Sequence, residues 1–499
     1  MRKLVLFSLA AILGVGCVSF LVSCYHLLSQ PYQYVNGEPY FQYLSNNLAH
    51  GHQLYSAVTS TSYAPTVYPP VYFLIGAFLT KIFGSSLLLI KMISFLAGVG
   101  SCLLVGAIVR QVTKKWVYGA LGGLLFSCTL VLKFMAPIVR TDTLGLMFSL
   151  LGIFLFIRYE GTKRVYWSIP ALVLAFFTKQ LFLSSSIAIL IYLLFSNRRI
   201  FFKYASLLAG SVVLVMGIGS LLTGGQMFIQ TIVWSYYQGS IDFSLLGGGI
   251  RTFLQYHFPI ILGAMVYIGW RLNRKSSLGL LSTYFLVSFL VFLLTVGKLG
   301  ASYHYGLETA AAGCILSVLL IPNSLRVLEA VREKVSIRLV YGALPILLLV
   351  AIPLGFPNGY GLETFSYRPG TDVAYAEVIS IIKDTNKPVF TEEPIFPMRA
   401  GVQWDPWEPG AILISRMPSH GWDQSVIVSR LSNGYYQFVL VSFNVEKAMV
   451  AVPGTWDYLI YPTRLTKDMA NAIVDHYTLV YSSIQLDGLP DGINVYRYV

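Results

Sequence analysis

The sequence predicts a mostly α protein: a polytopic transmembrane helix bundle of about eleven spans, interfacial helices in the first external loop, and a C-terminal soluble α/β domain. Composition is the first observation behind this reading. Of 499 residues, 56% are hydrophobic and 11% charged, against about 25% charged in an ordinary soluble domain, so lipid solvates most of the chain. The second is a series of apolar runs approaching the roughly 20 residues a helix needs to cross a bilayer core. The third is a change of texture after Pro353, where short β-rich runs (388–391, 438–442, 494–498) alternate with helix-like pieces. The chain therefore divides into a membrane part, 1–355, and an external part, 356–499.

The first apolar run opens after Arg2 and Lys3 and reaches Cys24. It is long enough to span and offers no convincing small-residue cleavage site, so it is read as a retained helix, 4–24. Further spans are expected at 86–109, 116–134, 143–157, 165–178, 181–195, 204–222, 257–270, 278–296, 303–321 and 337–354. Cations gather at every second turnaround: Arg2/Lys3, Arg110/Lys114/Lys115, Arg158/Lys163/Arg164, Arg198/Arg199/Lys203, Arg271/Arg274/Lys275 and Arg326/Arg332/Lys334/Arg338. The positive-inside tendency makes these turnarounds cytoplasmic. The N-terminus is then inside, and 25–85, 135–142, 179–180, 223–256, 297–302 and the C-terminal domain are outside. The apolar piece 68–83, behind Pro69 and Pro70, is short for a span and is read as an interfacial helix of the first external loop.

The net charge of +13 is thus a set of topology signals, and no nucleic-acid partner is expected. Cys17, Cys24, Cys102, Cys128 and Cys314 lie in or beside apolar stretches without paired spacing, which argues against a disulfide framework or a zinc site.

The external ends carry polar residues that are costly at membrane depth. Glu38 is the one carboxylate of the first loop, in Val35-Asn36-Gly37-Glu38-Pro39-Tyr40. Asp142 opens a span, where the helix dipole alone would favour it, and Arg140 stands two residues before it on the same rim. Lys179 and Lys298 sit at external turns against the positive-inside tendency, with His304 close behind Lys298. A solvated glutamate, a dipole-paired aspartate and snorkelling lysines are the bland alternatives. Carboxylates and cations converging at one interface suit glycosyl transfer from a lipid-linked sugar phosphate: a carboxylate takes the acceptor proton and cations stabilise the departing phosphate. A transporter would show intramembrane acidic residues and paired broken helices, and neither stands out.

In order, these features resemble the GT-C membrane glycosyltransferases, in particular the group of protein O-mannosyltransferases, the lipid A aminoarabinose transferase and rhizobial lipopolysaccharide-core transferases. The residues that carry the resemblance are the acidic first loop with Gly51-x-x-Leu54-Tyr55, Tyr68-Pro69-Pro70, Arg140-x-Asp142, Phe177-Thr178-Lys179-Gln180 and Gly297-Lys298-Leu299. The resemblance implies a polyprenyl-phosphate sugar as donor substrate, an extracytoplasmic acceptor (glycan, lipid or protein), and inverting single displacement at the outer face of a bacterial plasma membrane. It implies Glu38 and Asp142 as the catalytic carboxylates and Lys179 and Lys298 as ligands of the lipid phosphate. Arg140 and His304 join them by placement, and Tyr40, Tyr68 and Tyr303 are substrate-binding candidates. Many relatives carry an Asp-Glu pair where this chain has Asn36, Gly37 and Glu38. Either Glu38 alone serves as base or Asp142 takes over; one carboxylate suffices, which favours Glu38. No further cofactor is implied, and carboxylates at the site leave room for a divalent metal although no tight ligand cluster is present. Trp404, Trp407 and Trp422 of the C-terminal domain are candidates for stacking on sugar rings. The remaining classes are a transporter or flippase for lipid-linked sugars and a non-catalytic membrane scaffold.

Overall fold

The computed structural model describes residues 2–35, 37–57, 59, 65–237, 241–274, 278–298, 300–330, 337–352, 365–406, 423–451, 465–483 and 492–499. Asn36, Lys275, Leu299, Arg332, Lys334, Trp407 and Trp422 lie outside these. The membrane part is helical: α1 Arg2–Ser29, α2 Glu38–Ala49, α3 Val71–Phe83, α4 Leu87–Thr113, α5 Trp116–Ser127, α6 Leu130–Met135, α7 Asp142–Tyr159, α8 Ser168–Thr178, α9 Ser184–Ser196, α10 Arg198–Leu222, α11 Gln226–Phe228, α12 Trp234–Tyr237, α13 Phe243–Asn273, α14 Leu280–Thr295, α15 Leu307–Ala330 and α16 Ile337–Ala351. Every expected span falls on these helices, the one expected at 116–134 being divided between α5 and α6. Among the described residues six stretches are long and apolar enough to cross a membrane by length and composition: α1, α4, α7, α10, α13 and Tyr303–Val327, which includes most of α15.

One connection differs from the sequence reading. The external connection expected at 223–256 is largely helical, because Asp242 caps α13 by accepting from the Ser244 and Leu245 amides and so starts that helix at Phe243. The connection also holds one π turn, Ile229–Val233, between α11 and α12. The piece behind Pro69 and Pro70 forms α3, whose 13 residues measure about 20 Å, short of a roughly 30 Å hydrocarbon core.

Small residues let the bundle helices close up. A Cβ built on Gly106 of α4 would stand 2.8 Å from the Gly119 carbonyl of α5, so these backbones touch as glycine faces do in membranes. Buried lysines are satisfied within the protein. Lys91 donates to the Leu27 and Tyr32 carbonyls and the Tyr367 hydroxyl, and Lys133 to Ser19 Oγ.

The C-terminal domain is built on a five-stranded sheet in the order β2-β1-β3-β5-β4. Its strands are β1 Val389–Thr391, β2 Trp404–Pro406, β3 Phe438–Val441, β4 Tyr477–Ser482 and β5 Asn494–Tyr498. β1 pairs in parallel with β2 and β3, and β5 runs antiparallel to β3 and β4. Both central parallel strands are fully buried, as a sheet covered on two faces requires. The domain docks on the first loop. Gln33 Nε2 donates to Glu393 Oε2 at 2.8 Å, Arg399 donates to the Pro31 carbonyl at 2.8 Å, and the Tyr32 and Tyr375 rings lie 4.3 Å apart. Trp404 packs against Tyr43 of α2, 4.8 Å between ring centroids. The connection that carries Glu38 is therefore held between the bundle and the sheet domain.

Candidate active site

Glu38 is the first residue of α2, behind Gly37, whose φ of 85° lies in the left-handed region that only glycine enters freely. That turn swings the Glu38 carboxylate back under its own loop. Oε2 accepts from the Tyr34 amide and Oε1 from the Val139 amide, each at 2.7 Å, and the side chain is fully buried. Glu38 thus clasps the first loop to the segment that leads into α7.

Asp142 stands three residues beyond that clasp, at the start of α7, and it too is buried. Its Oδ1 accepts from Lys179 Nζ at 2.8 Å, and its Oδ2 has no hydrogen bond among the described residues. Lys179 is presented by the C-terminal end of α8, where an extended backbone breaks the helix before α9. Its ammonium also lies over the Tyr305 ring, 4.5 Å from the centroid, a cation–π contact. Burial alone would pull this lysine down; the Asp142 charge, with the Tyr305 and Tyr68 oxygens, overrides it and holds the ammonium above the usual lysine value.

Lys179 opens into a cavity of about 350 Å³ whose wall includes Tyr68, Gln180, Lys298 and Tyr305. Two side-chain amides fix that wall. Gln180 donates to the Val67 and Thr231 carbonyls, and Gln230 donates to the Ser56 carbonyl while accepting from the Thr66 amide. Lys298 is set by a one-residue antiparallel bridge to Ile241. Lys179 and Lys298, far apart in sequence, thus share one cavity. Two cations and phenol oxygens over an apolar floor, with a carboxylate beside them, can take an anionic headgroup.

The remaining candidates scatter. Arg140 is half-buried at the rim, 5.9 Å from the Phe41 ring, with Nη1 facing Gly37. His304 lies within electrostatic reach of Asp142, Lys179 and Arg140, its ring 5.0 Å from that of Tyr305. Tyr68 lines the cavity, and its carbonyl accepts from the Tyr55 hydroxyl. Tyr40 is spent on structure: it is buried and donates to the Pro65 carbonyl. Tyr303 packs against Phe134 and Tyr256, and it is Tyr305, two residues on, that reaches the cavity.

Glu308, which the sequence reading passed over, is a buried carboxylate inside the bundle that accepts from the Ser149 and Tyr284 hydroxyls. An acidic residue within an expected span is therefore present after all, in the first turn of α15. The signal was available as the one carboxylate within the span expected at 303–321. Among the described residues no three His, Cys, Asp or Glu side chains converge as metal ligands, and the carboxylate at the cavity is committed to a lysine. The donor set does not fit a tightly held divalent ion.

Helical spans in this order, a cavity at one end of the bundle and a small appended sheet define a class, the polytopic GT-C fold. Residues 67–221 match the family model described as dolichyl-phosphate-mannose-protein mannosyltransferase. ArnT from Cupriavidus metallidurans bound to undecaprenyl phosphate is similar over 100% of this chain and 98% of its own, with TM-score 0.57 and 12% identity. AglB from Archaeoglobus fulgidus, in complex with an inhibitory peptide and a dolichol-phosphate, is similar over 100% of this chain and 74% of its own, with TM-score 0.55 and 13% identity. A sequence comparison with curated proteins finds no match. The chain is a membrane protein with a fold like that of these GT-C structures, and the family match covers its residues 67–221.

Proposed function

We propose that this protein is a glycosyltransferase that moves one sugar from a polyprenyl phosphate to an extracytoplasmic acceptor by inverting single displacement. The observation that carries the reading is the cavity holding Lys179 and Lys298 together, with Asp142 bonded to Lys179 at its edge. A likeness in fold to proteins whose structures contain undecaprenyl phosphate or dolichol-phosphate supports the same donor class. The alternation of basic turnarounds supports a bacterial plasma-membrane location with the cavity outside.

In this reading the donor phosphate takes the two ammonium groups, with Arg140 and His304 at the rim. Lys179 is then shared between Asp142 and the phosphate. The acceptor oxygen attacks the anomeric carbon, the bond from that carbon to the phosphate oxygen breaks, and the polyprenyl phosphate leaves with its new negative charge on Lys179 and Lys298. The acceptor proton goes to Asp142 through Oδ2, which has no hydrogen bond among the described residues. Glu38 is assigned a positioning role instead of the base role expected from the sequence, because both its oxygens already accept amide hydrogens. Tyr68 and Tyr305 wall the sugar.

The test is turnover of the purified protein in nanodiscs with a panel of polyprenyl-phosphate sugars and candidate acceptors. Release of polyprenyl phosphate by the wild type, lost in Asp142→Asn with folding intact, is the expected result. Wild-type turnover in Asp142→Asn would remove the base assignment, and failure of every donor to bind would remove the donor class.

A further inference from the structure

Away from the candidate site, α1, α4 and α5 enclose a second and larger cleft. It measures about 770 Å³, and its wall is almost wholly apolar, with Phe20, Leu103 and Ala107 among the lining residues. It lies toward the other end of the bundle. Ser94 of α4 donates to the Arg140 carbonyl at the candidate-site rim, and Arg110 lies 16 residues further along the same helix, roughly 24 Å away.

The mouth of this cleft is cationic and built. Arg110 is exposed and stacks its guanidinium on the Trp116 ring, 3.2 Å from the centroid. Stacking uses the face of the guanidinium and leaves its edge N–H donors outward. Those donors have no hydrogen bond or ion pair among the described residues. Lys114 and Lys115 are exposed beside it, and Arg2 comes to the same end by donating to the Tyr118 hydroxyl at 2.9 Å. α5 begins there with no side-chain cap on its first amides, so its dipole end also favours an anion. Trp116 is 72% exposed, as a tryptophan at a membrane–water boundary is.

The length of the cleft matches its mouth. Its lining on α4 runs from Val99 to Arg110, which at 1.5 Å per residue is about 16 Å, close to half of a roughly 30 Å hydrocarbon core. An acyl chain of one leaflet has that reach.

We propose that this cleft is a binding site for one anionic phospholipid, with the phosphate on Arg110 and the first turn of α5 and one acyl chain between α1, α4 and α5. The site is independent of the transfer reaction and lies in the opposite leaflet from the cavity of Lys179.

The test uses the full chain in phosphatidylcholine nanodiscs doped with brominated phosphatidylglycerol or brominated phosphatidylcholine. The Trp116 component of fluorescence is taken as the difference between each background and its Trp116→Phe partner. Brominated phosphatidylglycerol should quench Trp116 at about a fivefold lower mole fraction than brominated phosphatidylcholine, the factor one near-surface cation contributes. Arg110→Gln should erase that preference, Lys3→Gln should keep it, and Ala107→Leu, which fills the cleft, should weaken quenching by both lipids. Equal quenching by the two lipids in the wild type would overturn the proposal, as would a preference that survives Arg110→Gln. Equal loss in Lys3→Gln would reduce the effect to diffuse surface charge and overturn the built site.

Discussion

Glu38 and Asp142 are both buried carboxylates at the same end of the bundle, both open a helix, and they are held in opposite ways. Glu38 gives both oxygens to backbone amides, so its charge is distributed into the loop it closes. Asp142 gives one oxygen to a lysine that also faces a cavity, and its other oxygen has no hydrogen bond among the described residues. A carboxylate fully bonded to amides is a fastener, whereas one bonded through a shareable cation can change partners when an anion arrives. Glu308 is a third arrangement, clasped by hydroxyls deep between helices and away from the cavity.

The largest expected effect sharpens this contrast directly. Asp142→Asn should lower kcat by a factor on the order of 10²–10⁴, the range for a lost general base, while Glu38→Gln should cost turnover chiefly through a loosened loop and an altered KM. Steady-state kinetics of both variants checks this. An equal loss of kcat in Glu38→Gln, with unchanged thermal unfolding, would reverse the two roles.

A second outcome concerns the ion pair itself. Lys179→Met leaves Asp142 buried without its cation and should destabilise the fold by about 3–5 kcal/mol. The double variant Lys179→Met/Asp142→Asn should recover most of that, so a double-mutant cycle of detergent-phase unfolding is the measurement. Additive losses would mean the pair is not coupled as the 2.8 Å contact requires.

A smaller effect is expected where the first loop meets the sheet domain. Gln33→Leu removes a hydrogen bond to a charged group, worth about 1.5–3 kcal/mol, and should raise proteolytic susceptibility of the C-terminal domain and shift KM more than kcat. Unchanged proteolysis and kinetics would show that the bond to Glu393 does not steady the loop.

The smallest effect is a flat line. Lys179 is raised in the folded protein, so the charged form is favoured by folding. Its contribution is complete below the unfolded value of about 10.4 and is lost only as pH rises through the higher folded value. Donor affinity should therefore not change through Lys179 between about pH 6 and pH 9, and a titration of donor binding that fell across that window would point to another group.

Much of this molecule was readable before folding. The low charge content and the apolar runs located the long helices of the bundle, because a segment in lipid must satisfy its own backbone and must be long enough to cross, and they missed the short helices α11 and α12. Lys179 and Lys298 were visible as cations on the wrong side of a charge pattern, and the cavity they share was not, since it depends on the turn after α8 meeting the turn after α14. Tyr303 was chosen over Tyr305 because a 3-10 turn, Tyr303–Gly306, decides which phenol faces the lysine, and alternation in sequence does not reveal it.

Sequence by itself determined the solvent, the spans, the sheet domain and the residue types available at the external rim, because hydropathy and charge act locally along the chain. Only the tertiary structure decided that Glu38 fastens and Asp142 stays partly unengaged. It likewise decided that Arg110 has no hydrogen bond or ion pair among the described residues beside an apolar cleft. Those outcomes depend on which groups from distant helices complete each hydrogen bond, and burial makes the choice of partner the dominant energy.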